Sequence, residues 1–423
     1  MKAIISPFRP SGTITIPPSK SMSHRAIICA ALASGTSIIR NIAWSDDILV
    51  TMEGMRKLGA HIEKHDDYAV ITGIRNFRDI RDTEIFCNES GSTLRFFIPI
   101  FSLCEQPITF RGQGRLLQRP QSVYEEIFHH QNLSFQQDQD HITINGSLQA
   151  GEYTVRGDIS SQFISGLLFT LPLLNKKSII HITEPFESRS YIQLTIDMLK
   201  RFQIATAWLD ENTITIEGNQ SYHACDYTIE GDFSQFAFFG VLAAINHDLR
   251  IEGMDSTSKQ GDKAILSILE KSGIVIQSEE RGYQIHHGTI HPITIDLKDC
   301  PDLGPILTVL GMYAEGTIQI INAGRLRIKE SDRIEAMESE LRKCGVDIRS
   351  TQDTITITGK ERYSGGRQFD GHNDHRIVMS LAVAASRMDK PCTIHGAQAI
   401  RKSYPAFFED LQKIGGKVVI SND

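Results

Sequence analysis

A scattered set of cations gives the first chemical signal in this chain. Lys20 and Arg25 lie in Pro18-Ser19-Lys20-Ser21-Met22-Ser23-His24-Arg25, and Arg95 closes Ser90-Gly91-Ser92-Thr93-Leu94-Arg95. Arg119 precedes Pro120, Lys329 and Arg333 bracket Glu330-Ser331-Asp332, Arg376 follows Asn373-Asp374-His375, and Lys402 precedes Ser403. Arginine grips phosphate and carboxylate oxygens in pairs, while lysine supplies a point charge that can also donate a proton. Such a set suits a multiply charged anion. Asp302 and Glu330, next to these cations, are the natural acid and base candidates, because neighbouring Lys or Arg and an anionic ligand pull carboxyl pKa values in opposite directions. Neither acid has metal-ligand spacing with a histidine, and no Walker or Rossmann glycine pattern occurs. Neither a metal nor a nucleotide cofactor is expected.

The elements that must position these residues repeat along the chain. Five alternating strands end in glycine: Asp67 to Gly73, His141 to Gly146, Thr213 to Gly218, Gly282 to Gly288 and Thr354 to Gly359. They recur about every 70 residues, and their period-two alternation predicts strands with one wet face. Amphipathic helices precede several of them, at Met52 to Gly59, Ile196 to Phe202, Ile265 to Gly273 and Ile334 to Gly345. A sixth copy, Phe407 to Gly415, leads into Lys417-Val418-Val419-Ile420. Each copy also holds a helix apolar on nearly all sides, which predicts burial: His24 to Leu32, Leu94 to Leu103, Gln162 to Leu171, Gln235 to Ile245, Leu303 to Tyr313 and Arg376 to Ala385. Polar segments open each of these helices, including Ser160-Ser161 and Pro301-Asp302. Any single one is also the pattern of an ordinary N-cap. Six helix starts facing one place would make a strong anion site.

Composition narrows the class. A chain of 423 residues with 40% hydrophobic and 22% charged residues reads as a soluble protein of two domains. A net charge of -7 argues against nucleic acid as a partner. No apolar run approaches the roughly 20 residues of a membrane span, and Met1-Lys2-Ala3-Ile4-Ile5-Ser6-Pro7 does not read as a secretory signal. No membrane partner and a cytoplasmic location are expected. The seven cysteines are scattered with no CxxC pair, so buried reduced thiols are expected.

The motifs quoted above, with Ser160-Ser161-Gln162, Ser188-Arg189-Ser190-Tyr191 and Lys402-Ser403-Tyr404-Pro405, run nearly end to end through the chain. In these the chain resembles the 5-enolpyruvylshikimate-3-phosphate synthase family of enolpyruvyl transferases. The resemblance implies an α/β fold of two similar domains, each of three βαβαββ repeats with buried helices, an inside-out α/β barrel. Residues 1–18 with 230–423 would form one domain, carrying phosphoenolpyruvate-side residues. Residues 19–229 would form the inserted one, carrying shikimate 3-phosphate-side residues, and the cleft between them would close on substrate.

The family's activity is transfer of the enolpyruvyl group of phosphoenolpyruvate to the 5-hydroxyl of shikimate 3-phosphate, in the shikimate pathway to chorismate and the aromatic amino acids. The substrate hydroxyl attacks C2 while C3 is protonated, and the tetrahedral intermediate then loses phosphate. Carried over by position, Lys20, Ser21, Arg25, Ser160, Ser161, Gln162, Ser188, Tyr191, Asp302 and Lys329 would hold shikimate 3-phosphate. Lys20, Gly91, Arg119, Gln162, Arg333, Arg376 and Lys402 would hold phosphoenolpyruvate. Asp302 would be the base, Glu330 the acid at C3, and Lys20 would lie near the bridging oxygen. No cofactor is implied, and a monomer is expected.

One position departs from the family. Glu89 stands where many members have asparagine, placing an acid near an anionic ligand and bearing on phosphoenolpyruvate affinity. Gly91 is kept, and in the family it leaves room beside phosphoenolpyruvate, so glyphosate sensitivity is expected. A sister family that uses UDP-N-acetylglucosamine as acceptor usually carries a reactive cysteine where this chain has Gly114. A non-catalytic phosphometabolite binder has no use for Asp302 and Glu330, acids that repel an anion.

Overall fold

The computed structural model describes residues 1–421. The chain divides into two compact units, Met1–Pro17 with Glu230–Asp423 and Pro18–Ile229. Each has its own apolar core, and the described sheets are six, all four-stranded. The architecture is mixed α/β.

One copy shows how sequence makes the repeat. Strand Glu84–Phe86 lies parallel to Ile108–Arg111, as a connection through a buried helix requires, and that helix is Gly91–Phe101. The hairpin of Ser134–Gln137 and His141–Asn145 then adds antiparallel, with Ile108 opposite Ile144 and Phe110 opposite Ile142. This register puts every apolar residue of the alternation on the helix side. The polar partners Thr109 and Thr143 pair on the other face.

The six all-apolar helices lie in the cores. Lys20–Leu32, Gly91–Phe101 and Ser161–Thr170 fill one unit, and Phe233–Ile245, Gly304–Met312 and His375–Ala385 fill the other. Every residue of Phe233–Ile245 is buried. Each large side chain in such a helix contributes about 1.5–3 kcal/mol on removal from water. The amphipathic helices cover the outside, and Asp46–Leu58 is typical: Asp46 and Asp47 in its first turn and Arg56 and Lys57 in its last complement the helix dipole.

Chain connection closes each unit. In the last copy the amino-terminal strand Lys2–Ser6 lies between Cys392–His395 and Lys417–Ser421, antiparallel to both. Thr13–Thr15 pairs parallel with Leu249–Glu252, although the chain runs from it into Lys20–Leu32. Conversely, Tyr227–Thr228 pairs parallel with Thr36–Arg40 and runs on into Phe233–Ile245. The two crossings thus exchange the strands that precede the first helix of each unit.

Two local features differ from the sequence reading. A further amphipathic helix, Ser122–His130, stands in the second copy. Also, Pro301 and Asp302 do not cap a helix: Pro301–Leu303 is a 3-10 turn, and Gly304–Met312 starts without a side-chain cap. Asp302 is thereby left to other partners. All seven cysteines are free thiols, six of them buried. Among the described residues, no helix is long and apolar enough to cross a membrane.

Candidate functional site

In the unit Pro18–Ile229, the starts of the three buried helices carry the expected residues. Ser19, Ser90 and Ser160 are the N-caps, accepting from the main-chain N–H groups of Met22, Thr93 and Gln162. Capping is therefore done by the residue just before each candidate at Lys20, Gly91 and Ser161. Lys20 follows its cap directly, and its Nζ lies 2.7 Å from Asp47 Oδ2. Asp47 is the second residue of Asp46–Leu58, so the first turn of a surface helix supplies the counter-ion.

Arg25 sits one turn further along. Its Nε donates to Thr195 Oγ1 at 2.8 Å, and its Nη atoms donate to the carbonyls of Ser21 (2.7 Å) and Tyr191 (3.0 Å). It thus ties Lys20–Leu32 to Arg189–Arg201 through neutral oxygens. Burial lowers its pKa to about 10, which still leaves it charged at neutral pH. Ser188 opens the helix Arg189–Arg201 in a left-handed conformation, φ 56°. His24, buried beneath, is held well below the ordinary imidazole pKa by burial and by the charges of Lys20 and Arg25. Its Nδ1 bonds Thr51 Oγ1 at 2.8 Å.

Gln162 is bound at both ends. Its Oε1 accepts from Arg95 Nη1 at 2.9 Å and its Nε2 donates to Ser92 Oγ at 2.9 Å. Arg95 also donates to the carbonyl of Pro120 and stacks on Phe163, so it locks two buried helices to the loop that carries Arg119. Arg119 itself lies against Gly91: a Cβ at position 91 would meet its Nη1 at 2.5 Å and its Cζ at 2.8 Å. A side chain at position 91 would require the guanidinium to move. Gly114, on the same loop, has φ 57° and lies directly under the Glu89 carboxylate, which would have to shift to admit a side chain at 114.

The unit that contains both termini gathers a tighter charge cluster. Asp302 Oδ1 meets Arg333 Nη1 at 3.1 Å and Lys329 Nζ at 3.4 Å, and Oδ2 meets Arg376 Nη2 at 2.9 Å. Glu330 lies 2.8 Å from Arg333 Nη2. Arg333 Nε is 2.8 Å from Asp374 Oδ2, and Asp374 also caps the helix His375–Ala385 through the N–H of Arg376. Arg376 reaches Ser234 Oγ at 3.2 Å, and Lys402 Nζ donates to the carbonyl of Asn373 at 2.5 Å. Burial opposes the charge of Arg333, but Asp374, Glu330 and Asp302 outweigh it and hold its pKa above the ordinary value. Lys329 goes the other way. Burial lowers its pKa to about 8 although Asp302 opposes the shift, and Arg325 and Arg333 add to the lowering.

The expected residues therefore fall into two groups. Lys20, Ser21, Arg25, Gly91, Arg119, Ser160, Ser161, Gln162, Ser188 and Tyr191 belong to Pro18–Ile229. Asp302, Lys329, Glu330, Arg333, Arg376 and Lys402 belong to the other unit. Asp47 and Asp374 carried no assigned role in the sequence reading. Asp47 lies ahead of the helix read at Met52 to Gly59, and Asp374 lies in a polar helix start; each binds a site cation.

Comparison with known proteins identifies the family and the fold. The family model described as EPSP synthase (3-phosphoshikimate 1-carboxyvinyltransferase) matches residues 6–411. A 3-phosphoshikimate 1-carboxyvinyltransferase of Clostridium perfringens (strain 13 / Type A) is 45% identical over 418 residues, covering 98% of each chain. One of Clostridioides difficile (strain 630) is 42% identical over 98% of this chain and 97% of its own. Among solved structures, an EPSP synthase from Acinetobacter baumannii superposes with a TM-score of 0.82 at 26% identity, covering 99% of this chain and 100% of that one. The enolpyruvyl transferase NikO from Streptomyces tendae, at 15% identity, shares the fold with a TM-score of 0.78 over 99% of this chain and 98% of its own.

Proposed function

The chain belongs to the EPSP synthase family, and we propose that it transfers the enolpyruvyl group of phosphoenolpyruvate to the 5-hydroxyl of shikimate 3-phosphate, releasing inorganic phosphate. The observation that carries this reading is the Asp302 cluster: an acid and three cations, Lys329, Arg333 and Arg376, within hydrogen-bonding or ion-pair reach. A binder of anions needs the cations alone. The carboxylate makes the cluster suited to moving a proton beside an anionic ligand.

The roles divide as follows. Lys20, Ser21, Arg25, Ser160, Ser161, Gln162, Ser188 and Tyr191 bind shikimate 3-phosphate together with Asp302 and Lys329. Lys20, Gly91, Arg119, Gln162, Arg333, Arg376 and Lys402 bind phosphoenolpyruvate. Asp302 takes the proton of the attacking 5-hydroxyl, and Glu330 delivers one to C3 as the C–O bond forms at C2. In the elimination step a proton delivered near the bridging oxygen, where Lys20 is assigned, lets phosphate leave C2 while the C3 methyl returns a proton to the Glu330 carboxylate, so that the C2–C3 double bond re-forms. The arginines stabilise charge on the carboxylate and phosphate through the tetrahedral intermediate. We assign phosphoenolpyruvate-side residues to the unit with both termini and shikimate 3-phosphate-side residues to Pro18–Ile229, and read the protein as a cytoplasmic monomer.

The test is to mix protein, shikimate 3-phosphate and phosphoenolpyruvate and follow phosphate release. Release that needs both substrates supports the reading. Absence of release, or release only with UDP-N-acetylglucosamine, overturns it. The second outcome runs against the local structure, because the position that carries a cysteine in the sister family is here Gly114, packed under Glu89.

A further inference from the structure

The turn between Gln368–Asp370 and His375–Ala385 orders two of the cations assigned to phosphoenolpyruvate. His372 and Asn373 are consecutive non-glycine residues with φ 50°. A left-handed conformation costs such residues about 1–3 kcal/mol each, so something must hold the turn. The turn in turn holds the site: the Asn373 carbonyl accepts from Lys402 Nζ, and the Asp374 carboxylate takes Arg333 and Ser331.

Glu340 is the anchor on the other side. It lies two turns beyond Arg333 on the helix Arg333–Arg342 and is buried. Its Oε1 is 3.2 Å from His372 Nε2, and its Oε2 accepts from the Asp370 N–H at 2.9 Å. His372 N–H donates to Asp370 Oδ1 at 2.7 Å. The one helix that begins with Arg333 therefore grips the strand end and the turn that align Arg333 and Lys402.

We propose that His372 and Glu340 are a pair of positioning residues that clamp the 371–374 turn and so set the placement of Lys402 and Arg333 for binding phosphoenolpyruvate. The proposal rests on the enolpyruvyl-transfer reading. The charged groups facing the pair are Lys343, at 2.5 Å from Glu340, and Asp370. The hydrogen bond that His372 donates to the Glu340 carboxylate raises its pKa above the ordinary imidazole value against its partial burial; the charges of Asp370 and Glu340 add to the rise and Lys343 opposes it. A raised folded-state pKa means that the charge-assisted clamp is complete at low pH and weakens to a neutral hydrogen bond as pH rises through that value. The affinity for phosphoenolpyruvate then falls over the same window.

The experiment measures kcat and the KM for phosphoenolpyruvate against pH for the full chain and for His372→Gln, His372→Phe and Glu340→Gln. The expected result is a KM raised roughly tenfold at pH 6 by His372→Phe and Glu340→Gln, in line with the effect of a slightly misplaced binding group, with kcat changed less. His372→Gln keeps a donor but cannot titrate, so it is expected to remove the rise of KM that accompanies loss of the imidazolium charge. Superimposable KM profiles in the wild type and the His372→Gln protein overturn the proposal, as do variants that lower the unfolding midpoint without altering KM. If His372→Phe does not fold, the His372→Gln profile decides. A wild-type protein that releases no phosphate from the two substrates counts against the enolpyruvyl-transfer reading instead.

Discussion

The guanidinium of Arg333 and the carboxylate of Asp374 meet at 2.8 Å, with the two side chains 1% and 0% exposed. A buried pair of this kind gives little net stability over an apolar pair, but removing one partner leaves a charge without compensation. Glu330 and Asp302 remain beside Arg333 and soften the loss. Asp374→Ala is expected to cost about 3 kcal/mol in urea unfolding, and Asp374→Asn less, because an amide oxygen still accepts from Arg333. A loss below about 0.5 kcal/mol, the range of ordinary surface substitutions, would show that Arg333 does not depend on this acid.

Lys20 and Asp47 form the corresponding pair in the other unit, at 2.7 Å. Asp47 is mostly buried and takes the lysine at the start of the first buried helix. Asp47→Asn keeps an oxygen for Lys20 but loses the opposite charge. Turnover is expected to fall about 10- to 100-fold, as when a catalytic group is misplaced, with little change in thermal midpoint. Full activity in the Asp47→Asn protein would assign Asp47 to the helix dipole alone.

The parts of this arrangement that follow from local periodicity were legible in the sequence. Helices apolar on all sides occur where the pattern places them, within a few residues at each end. The helix Ser122–His130 was not read; its chain turns at Asn132, φ 56°, where other copies use a glycine such as Gly59 or Gly345. Gln203, φ 62°, plays the same part after Arg189–Arg201. Long-range pairing left no local mark at all: nothing in Lys2–Ser6 announces that it completes the sheet of Lys417–Ser421. The site cations were visible by type and context. Their counter-ions were hidden, since an acid in a first turn, such as Asp47, reads the same whether it faces water or a lysine.

Lys329 is expected to make both stability and substrate binding depend on pH in the alkaline range. Its pKa is lowered from lysine's ordinary 10.5 to about 8, chiefly by burial. Below about 8 it is charged in both folded and unfolded chains; between about 8 and 10.5 the unfolded chain holds a proton that the folded one has released. Its contribution to stability therefore rises with pH across that window, and Lys329→Met is expected to flatten the rise. Binding moves oppositely. The charge assigned to shikimate 3-phosphate is lost as pH passes about 8, so KM for that substrate rises there. Lys329→Arg stays protonated and is expected to abolish this rise. An unchanged KM profile in Lys329→Arg would remove Lys329 from the binding set.

Gly91 and Arg119, both assigned to phosphoenolpyruvate, lie in close contact. An added Cβ at position 91 would lie 2.5 Å from Arg119 Nη1, closer than any real contact, so the guanidinium must move. Gly91→Ala is expected to raise KM for phosphoenolpyruvate about tenfold, the cost of losing roughly one charge-assisted hydrogen bond, while KM for shikimate 3-phosphate stays near its original value. The unaltered chain keeps the open position and is expected to be inhibited by glyphosate competitively with phosphoenolpyruvate. Steady-state inhibition at several phosphoenolpyruvate concentrations checks both statements. Undiminished turnover of the unaltered chain at saturating glyphosate would separate Gly91 from inhibitor binding. An unaltered KM in Gly91→Ala would mean that Arg119 finds another productive position beside the alanine.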